Sequence, residues 1–173
     1  VGKGKLTFGS GGVFNGTFKD DEAFDGKLND KFDNVFENDA NKGGHFLRGK
    51  LNGAGRARCT NGNEYTGEFR DGLFSGQGQL LYKEIGSGAG KATYVGSFRG
   101  NKRDGYGEIT WGAAGGNKDA ECFKGIWHND HRIKGHIHLV DGTEYDGEWK
   151  HDVMHGFGRL TFKPERKGDK GIT

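Results

Sequence analysis

Six of the seven histidines lie in the last third of the chain, where they are the first candidates for metal chemistry. They are His128, His131, His136, His138, His151 and His155. Side chains two residues apart in a strand share one face, so His136 and His138 could hold a metal together with His151 or His155. Zinc needs three or four converging ligands, and no spacing here requires such convergence. We therefore predict no metal ligand.

Three glutamates could serve as acid–base groups, but their positions favour a structural role. Glu68 and Glu148 recur at the same place in a repeated pattern, whereas a catalytic carboxylate usually occurs once; Glu108 has no such partner. No Ser/His/Asp or Cys/His arrangement has supporting context. The sequence predicts a chain that is not an enzyme and has no cofactor.

A glycine-rich stretch at residues 86–93, Gly-Ser-Gly-Ala-Gly-Lys-Ala-Thr, looks like a phosphate-binding loop but departs from the motif twice. Ile85 stands at the first glycine position, and Ala92 stands where Ser or Thr would hold magnesium. A strand pattern follows from Thr93 to Phe98, so no helix N-terminus would face a phosphate. We interpret this stretch as a linker.

The elements that would position any site come from one alternating pattern of aromatic residues and glycines. Its best copy alternates at Tyr65, Gly67 and Phe69, turns at Asp71-Gly72, and alternates again at Gly76, Gly78, Leu80 and Tyr82. Two short alternating runs joined by a tight glycine turn predict a β-hairpin.

The same hairpin pattern recurs along the chain. Regular copies occupy residues 94–111 and 145–162, and shortened copies occupy residues 14–28 and 123–139. A worn copy lies at residues 44–55, and a closing half-copy lies at residues 2–8. In the worn copy, Lys42 stands at the first aromatic position. We predict an array of about 6.5 repeats over residues 1–162 with an irregular insertion at 29–41, and a solvated tail at 163–173.

The pattern Tyr-x-Gly-x-Phe/Trp followed by Gly-x-Gly resembles the MORN repeat family. Tyr65-Thr-Gly-Glu-Phe and Tyr145-Asp-Gly-Glu-Trp match it almost fully, and the resemblance covers residues 1–162. It implies a non-catalytic scaffold of cytoskeletal, ciliary or membrane-junction assemblies, or a targeting or regulatory module attached to a larger enzyme.

The predicted fold is all-β: an elongated, single-layer, twisted antiparallel sheet of successive hairpins, with about 14 strands. Residues 84–92 and 112–120, rich in Gly, Ala and Ser, are predicted to be loops between hairpins. The 29–41 segment is interpreted as a surface insertion, with a short helix or a loop pinned by Phe32, Val35 and Phe36 as alternatives.

Composition supports a repeat array. The chain has 35 glycines and a hydrophobic fraction of 31%, which leaves too few apolar side chains for a thick core. Neighbouring repeats can still pack on each other.

The charge and the cysteines indicate the kind of partner and the location. The net charge of +2 indicates no nucleic-acid partner. Cys59 and Cys122 are isolated, which favours a reducing, cytoplasmic location, and no apolar run reaches the ~20 residues of a membrane span. Since the chain opens within a repeat, we expect it to be a fragment of a longer protein.

The rings on one face of the sheet are the predicted partner-binding residues. They are Tyr65, Phe69, Tyr94, Phe98, Phe123, Trp127, Tyr145 and Trp149. We expect them to line a curved groove for a helix or an extended segment of a partner protein. An anionic lipid surface and a second copy of the chain, paired through an open sheet edge, are the alternative partners.

Overall fold

The computed structural model describes residues 2–83, 91–112 and 121–163. Its strands are β1 Gly2–Thr7, β2 Val13–Lys19, β3 Glu22–Asn29, β4 Val35–Asn38, β5 His45–Leu47, β6 Lys50–Arg58, β7 Glu64–Arg70, β8 Leu73–Leu81, β9 Ala92–Arg99, β10 Lys102–Trp111, β11 Glu121–His128, β12 His131–His138, β13 Glu144–Lys150 and β14 Val153–Thr161. A single 3₁₀ turn, Ala40–Lys42, is the only helix in these ranges. Most of the phosphate-loop-like stretch, most of both predicted linkers and most of the tail lie outside the described residues.

The strands form one open antiparallel sheet in which chain neighbours pair in order, from β1 to β4 and from β6 to β14. β4 pairs directly with β6, and β5 pairs only with β6. The prediction of an all-β sheet of successive hairpins with about 14 strands is confirmed. The two shortened copies form hairpins like the others, β2–β3 and β11–β12.

The hairpin turns follow from their sequences. Asp71 and Gly72 both have positive φ, 52° and 80°, as the two central residues of a type I′ turn require. Beyond this turn, the register between β7 and β8 shifts at Glu68, and the Glu68 carboxylate accepts the Gln77 N–H at 3.1 Å. Glu148 accepts the Phe157 N–H in the same way. These repeated glutamates therefore bind backbone in the sheet.

The two faces of the sheet differ. The ring face carries Tyr65, Gly67, Phe69 and the residues in register with them, and the polar face carries Thr66, Glu68 and their register partners. All 18 buried hydrophobic residues belong to one cluster, and the rings that form most of it lie on the ring face. In the described ranges no polar or charged residue is buried.

The glycines of the ring face make room for the rings. Gly67 pairs with Gly78 across β7 and β8, and the Tyr65 ring lies over both. A Cβ on Gly67 would lie 2.5 Å from the Tyr65 hydroxyl oxygen and 2.6 Å from the Gln77 carbonyl oxygen. The ring thus takes the space that a side chain would need, as in aromatic rescue of glycine.

The prediction of a surface insertion at residues 29–41 is wrong for residues 35–38. Residues 35–38 form β4, which pairs with β3 on one side and β6 on the other. After β4 the chain leaves the sheet between Asn38 and His45, and the 3₁₀ turn lies in that excursion. The predicted alternatives, a helix or loop pinned by Phe32, Val35 and Phe36, also fail because Val35 and Phe36 are strand residues.

The aromatic ring missing from the worn copy is Phe36. Phe36 pairs with Ala57 as Tyr65 pairs with Leu80, so Phe36 holds the position assigned to Lys42 from spacing. Asn38 closes the excursion, because its side chain accepts the Gly26 N–H at 2.8 Å and donates to the Gly44 carbonyl at 2.9 Å. β4 and β5 together are thus one interrupted repeat strand.

Candidate functional site

The eight rings predicted to bind a partner are 0–6% exposed. They contact one another edge to face along the sheet; the Tyr65 and Phe98 centroids are 5.0 Å apart, and those of Tyr94 and Trp127 are 5.5 Å apart. These rings belong to strands two apart, which a flat sheet would separate by about 9–10 Å. They therefore lean together into a continuous core, and in the isolated chain they support the ring face rather than form an open surface. Direct contact with a partner stays a prediction.

A second set of ring-face residues, missed in the sequence, covers these rings. Each stands five residues after the second ring of its repeat: Ala23, Leu51, Phe74, Arg103, Arg132 and Met154. The Phe74 ring stacks on Tyr65 with centroids 3.9 Å apart and an interplanar angle of 8°. Their fixed distance from the second ring is visible in the sequence. The residue types at this position differ between repeats, however, so the sequence pattern does not identify it.

Two of these covering residues are arginines that join adjacent hairpins. The Arg103 guanidinium carbon lies 4.2 Å from the Trp127 ring centroid, a cation–π distance. Its Nε donates to Asp130 Oδ1 at 3.1 Å and its terminal nitrogen to the Asp130 carbonyl at 2.9 Å. Arg132 repeats this arrangement with Trp149 and Asp152. Each arginine thus fixes the next hairpin's turn against the ring face.

An open cleft of about 590 Å³, here called the ring trough, crosses the ring face from one row of turns to the other. Its floor is apolar and consists of Phe36, Phe74, Leu80, Tyr82 and Phe98. Phe36, Phe74 and Tyr82 are only partly buried, so they present ring surface to a ligand. A largely apolar floor with a few convergent polar groups is typical of a binding site.

The rims of the ring trough carry hydrogen-bond donors. At one rim, Asn63 Oδ1 accepts the Lys83 N–H at 3.1 Å; at the other, Asn101 Oδ1 accepts the Phe74 N–H at 2.7 Å. These bonds fix both amides through their oxygens, and in the described ranges neither NH₂ group donates to another residue. The amides are suited to bind carbonyl or carboxylate oxygens of a ligand.

The buried tyrosines keep their protons to high pH. The Tyr65 hydroxyl donates to the carbonyls of Glu68 and Ser75 at 2.9 and 3.1 Å, and the Tyr94 hydroxyl to that of Ser97 at 3.1 Å. Burial raises the pKa of Tyr94 to about 12 and places the pKa of Tyr65 well above its usual range. Neither tyrosine can act as a base at neutral pH.

Alkaline conditions should therefore destabilise the array. In the unfolded chain tyrosine ionises near pH ~10, so below that pH both states hold the proton and stability is unaffected. Above it only the unfolded state loses the proton, and stability falls until Tyr94 titrates near 12. Denaturation midpoints measured from neutral to alkaline pH should show this loss. Tyr94→Phe should reduce the slope, and an unchanged slope would contradict this role of Tyr94.

The remaining candidate groups are separate from one another. His136 and His138 lie on β12, and His155 lies on β14 beyond the intervening β13. Over the three described ranges, no group of three or more His, Cys, Asp or Glu residues could hold a metal ion.

The Cys59 thiol is not activated. Burial is the larger cause and the nearby Asp30 charge the smaller cause of a raised pKa of this thiol, which disfavours the thiolate. The described part of the chain also contains no helix of the length and apolarity that crossing a bilayer would require.

Comparison with known proteins agrees with the repeat architecture. The MORN repeat model matches residues 1–13, 44–64, 65–84, 94–113 and 145–164. The shortened copies, β2–β3 and β11–β12, fall outside these matches although they continue the same sheet.

Relatives with known names show similarity over part of their length. Human and rat (Rattus norvegicus) Alsin are each 29% identical over 135 residues, which is 76% of this chain but 8% of Alsin. MORN repeat-containing protein 3 from Xenopus laevis is 31% identical over 85 residues, which is 49% of this chain and 34% of that protein. Because the family model matches more than half of its residues, the chain belongs to the MORN repeat family.

Proposed function

We propose that this chain is a non-catalytic binding module that holds a helix or an extended segment of a partner protein in the ring trough. The observation that carries the proposal is the combination of partly exposed rings on the floor with amide donors on both rims. An amphipathic helix or extended peptide would place apolar side chains on Phe36, Phe74 and Tyr82. Its carbonyl oxygens would accept from the side chains of Asn63 and Asn101.

The rigidity of the trough supports this role. The Phe74 ring is stacked on Tyr65, and its backbone N–H is held by Asn101. In the same row of turns as Asn101, the Arg103–Asp130 pair fixes the next turn along the sheet. A surface that is ordered before binding loses little conformational freedom when the partner docks, so more of the contact energy remains as affinity. The eight buried rings contribute by holding this surface in place.

A scaffold role in a cytoskeletal, ciliary or membrane-junction assembly belongs to the same proposal, since members of the family are interaction modules. The chain spans less than a tenth of Alsin, so Alsin's own activity is not transferred to it. A second copy is an alternative partner because all nine residues of the edge strand β14 are exposed.

The test is a pair of matched tyrosine substitutions on opposite faces. Tyr82 lines the ring trough, and Tyr106 lies on the polar face with 55% of its surface exposed. A partner retained from cell extract at high salt would be identified, purified and titrated against Tyr82→Ser and Tyr106→Ser. We expect Tyr82→Ser to weaken binding about ten-fold or more, as for an interface ring, and Tyr106→Ser to leave it unchanged.

Controls separate this result from unfolding and from lipid binding. Both variants should keep the wild-type circular dichroism spectrum at the temperature of the titration. The reverse pattern, with binding lost only in Tyr106→Ser, would place the site on the polar face and refute the ring trough. Salt-sensitive capture of anionic liposomes, with no protein retained, would favour a membrane-association module.

A further inference from the structure

A second, smaller cleft near the start of the array carries an unbalanced positive charge. It has a volume of about 300 Å³ and shares no residue with the ring trough. Three turns form it, and each cation comes from a turn or its flank: Lys31 from the turn between β3 and β4, and Arg48 and Lys50 from the hairpin between β5 and β6. Phe8, Leu28 and Phe32 form its apolar walls.

The three cations are not neutralised by carboxylates of the described residues. None of them takes part in any ion pair found in that part of the chain. Asp30 is the one acidic residue of the lining, and its oxygens accept hydrogen bonds from the backbone N–H groups of Phe32 and Asn34 and from the Asn34 side chain. The lining therefore has an excess of two positive charges.

Arg48 occupies a backbone position that the other repeats give to different residues. It is the first residue of its hairpin turn, with φ of 49°. The corresponding positions hold Asp20, Asp71, Gly100, Asn129 and His151, with φ between 49° and 58°. Left-handed backbone favours Gly, Asn and Asp and costs other residues free energy. Arg48 is the one residue among these six whose side chain carries a permanent positive charge.

We propose that this cleft, which we call the basic cleft, binds a phosphate monoester. Arg48 would donate paired hydrogen bonds to phosphate oxygens, and Lys31 and Lys50 would supply positive charge. The Lys31 Nζ lies 4.9 Å from the Phe32 ring centroid, a cation–π distance. The exposed Phe32 ring and the Phe8 wall would pack against the carbon skeleton next to the phosphate. A free phosphate ester and a lipid headgroup offer this same group.

The probes are chosen to distinguish these two sources. Glycerol 3-phosphate presents the monoester in solution, and phosphatidic acid in phosphatidylcholine vesicles presents it on a membrane. The whole chain would be titrated with glycerol 3-phosphate by NMR and with the vesicles by co-sedimentation, each at low and high salt. Binding of glycerol 3-phosphate alone would identify a soluble ligand; binding of the vesicles alone would identify a headgroup.

Arg48→Asn is the decisive variant because Asn accepts left-handed backbone and so preserves the turn. His151→Asn is its matched control, since His151 has φ of 51° at the same place in another hairpin turn. We expect Arg48→Asn to weaken binding of the responsive probe about ten-fold, as when a charge-assisted hydrogen bond is lost, and His151→Asn to have no effect. The proposal is overturned if neither probe binds, if Arg48→Asn binds as well as wild type, or if both variants weaken binding equally.

Discussion

Gly67→Val should lower the stability of the array by about 3 kcal/mol, at the upper end of the cost of overpacking a core. The new Cβ would lie 2.5 Å from the Tyr65 hydroxyl oxygen, and 2.6 Å from both the Gln77 carbonyl oxygen and the Gly78 Cα. Two of these three atoms are backbone of the paired strand, so β7 and β8 would have to separate or the ring would have to leave. If the ring left, its hydroxyl would lose both carbonyl partners, Glu68 and Ser75.

Gly2→Val is the matched control for this substitution. Gly2 is also a strand glycine on the ring face, paired with Phe18, but nothing lies within 4 Å of an added Cβ. It should change stability by no more than about 0.5 kcal/mol. Thermal melting followed by both circular dichroism and tryptophan fluorescence would compare the two, since repeat arrays can unfold in parts. Equal melting temperatures would show that the ring-over-glycine packing is not what holds the hairpins.

The hairpins and their order were predictable because their signals are local. Alternation with a period of two, interrupted by Asp-Gly or a similar turn, determines both strands and the face that each ring occupies. Glu68 and Glu148 could be assigned a role in the sheet for the same reason, since their repetition tied them to a backbone feature. A repeated pattern lets each copy confirm the others, which a single copy could not do.

The ring trough was not predictable, because it depends on contacts between repeats. Arg103 and Asp130 are 27 residues apart, and neither residue type recurs at its position in every copy. Burial of the predicted rings has the same origin: Tyr65 is covered by Phe74 and by Phe98 from the next hairpin. Sequence alternation placed the rings on the correct face, but it carried no information on which rings remain open to a ligand.

The interrupted strand was not predictable for a different reason. Counting back from Phe46 with the regular spacing reaches Lys42, because the count assumes a continuous strand. In the structure, Asn38 pairs with Gly55 and His45 pairs with Asn52, so seven steps along the chain correspond to three along β6. The Phe36–Ala57 and Phe46–Leu51 pairs keep the register of the regular repeats, Tyr65–Leu80 and Phe69–Phe74.

Phe36→Ala and Lys42→Ala test this assignment directly. Phe36 packs on the core with its ring centroid 6.3 Å from that of Phe69, so its truncation should cost about 2–4 kcal/mol, somewhat less than for a fully buried ring. Lys42 is exposed and pairs with Asp39 at 3.3 Å on the surface, a contact whose loss should change stability by less than about 0.5 kcal/mol. Chemical denaturation of both variants measures the difference.

The two outcomes assign the first ring position to different residues. A large loss in Phe36→Ala with none in Lys42→Ala would establish β4 and β5 as one repeat strand and keep the ring face continuous from β3 to β7. Because Phe36 also lines the ring trough, the same variant should bind the partner more weakly at temperatures where it remains folded. Equal stability of the two variants would mean that β4 adds little to the core, and the array would then be divided at this point into two separately stabilised parts.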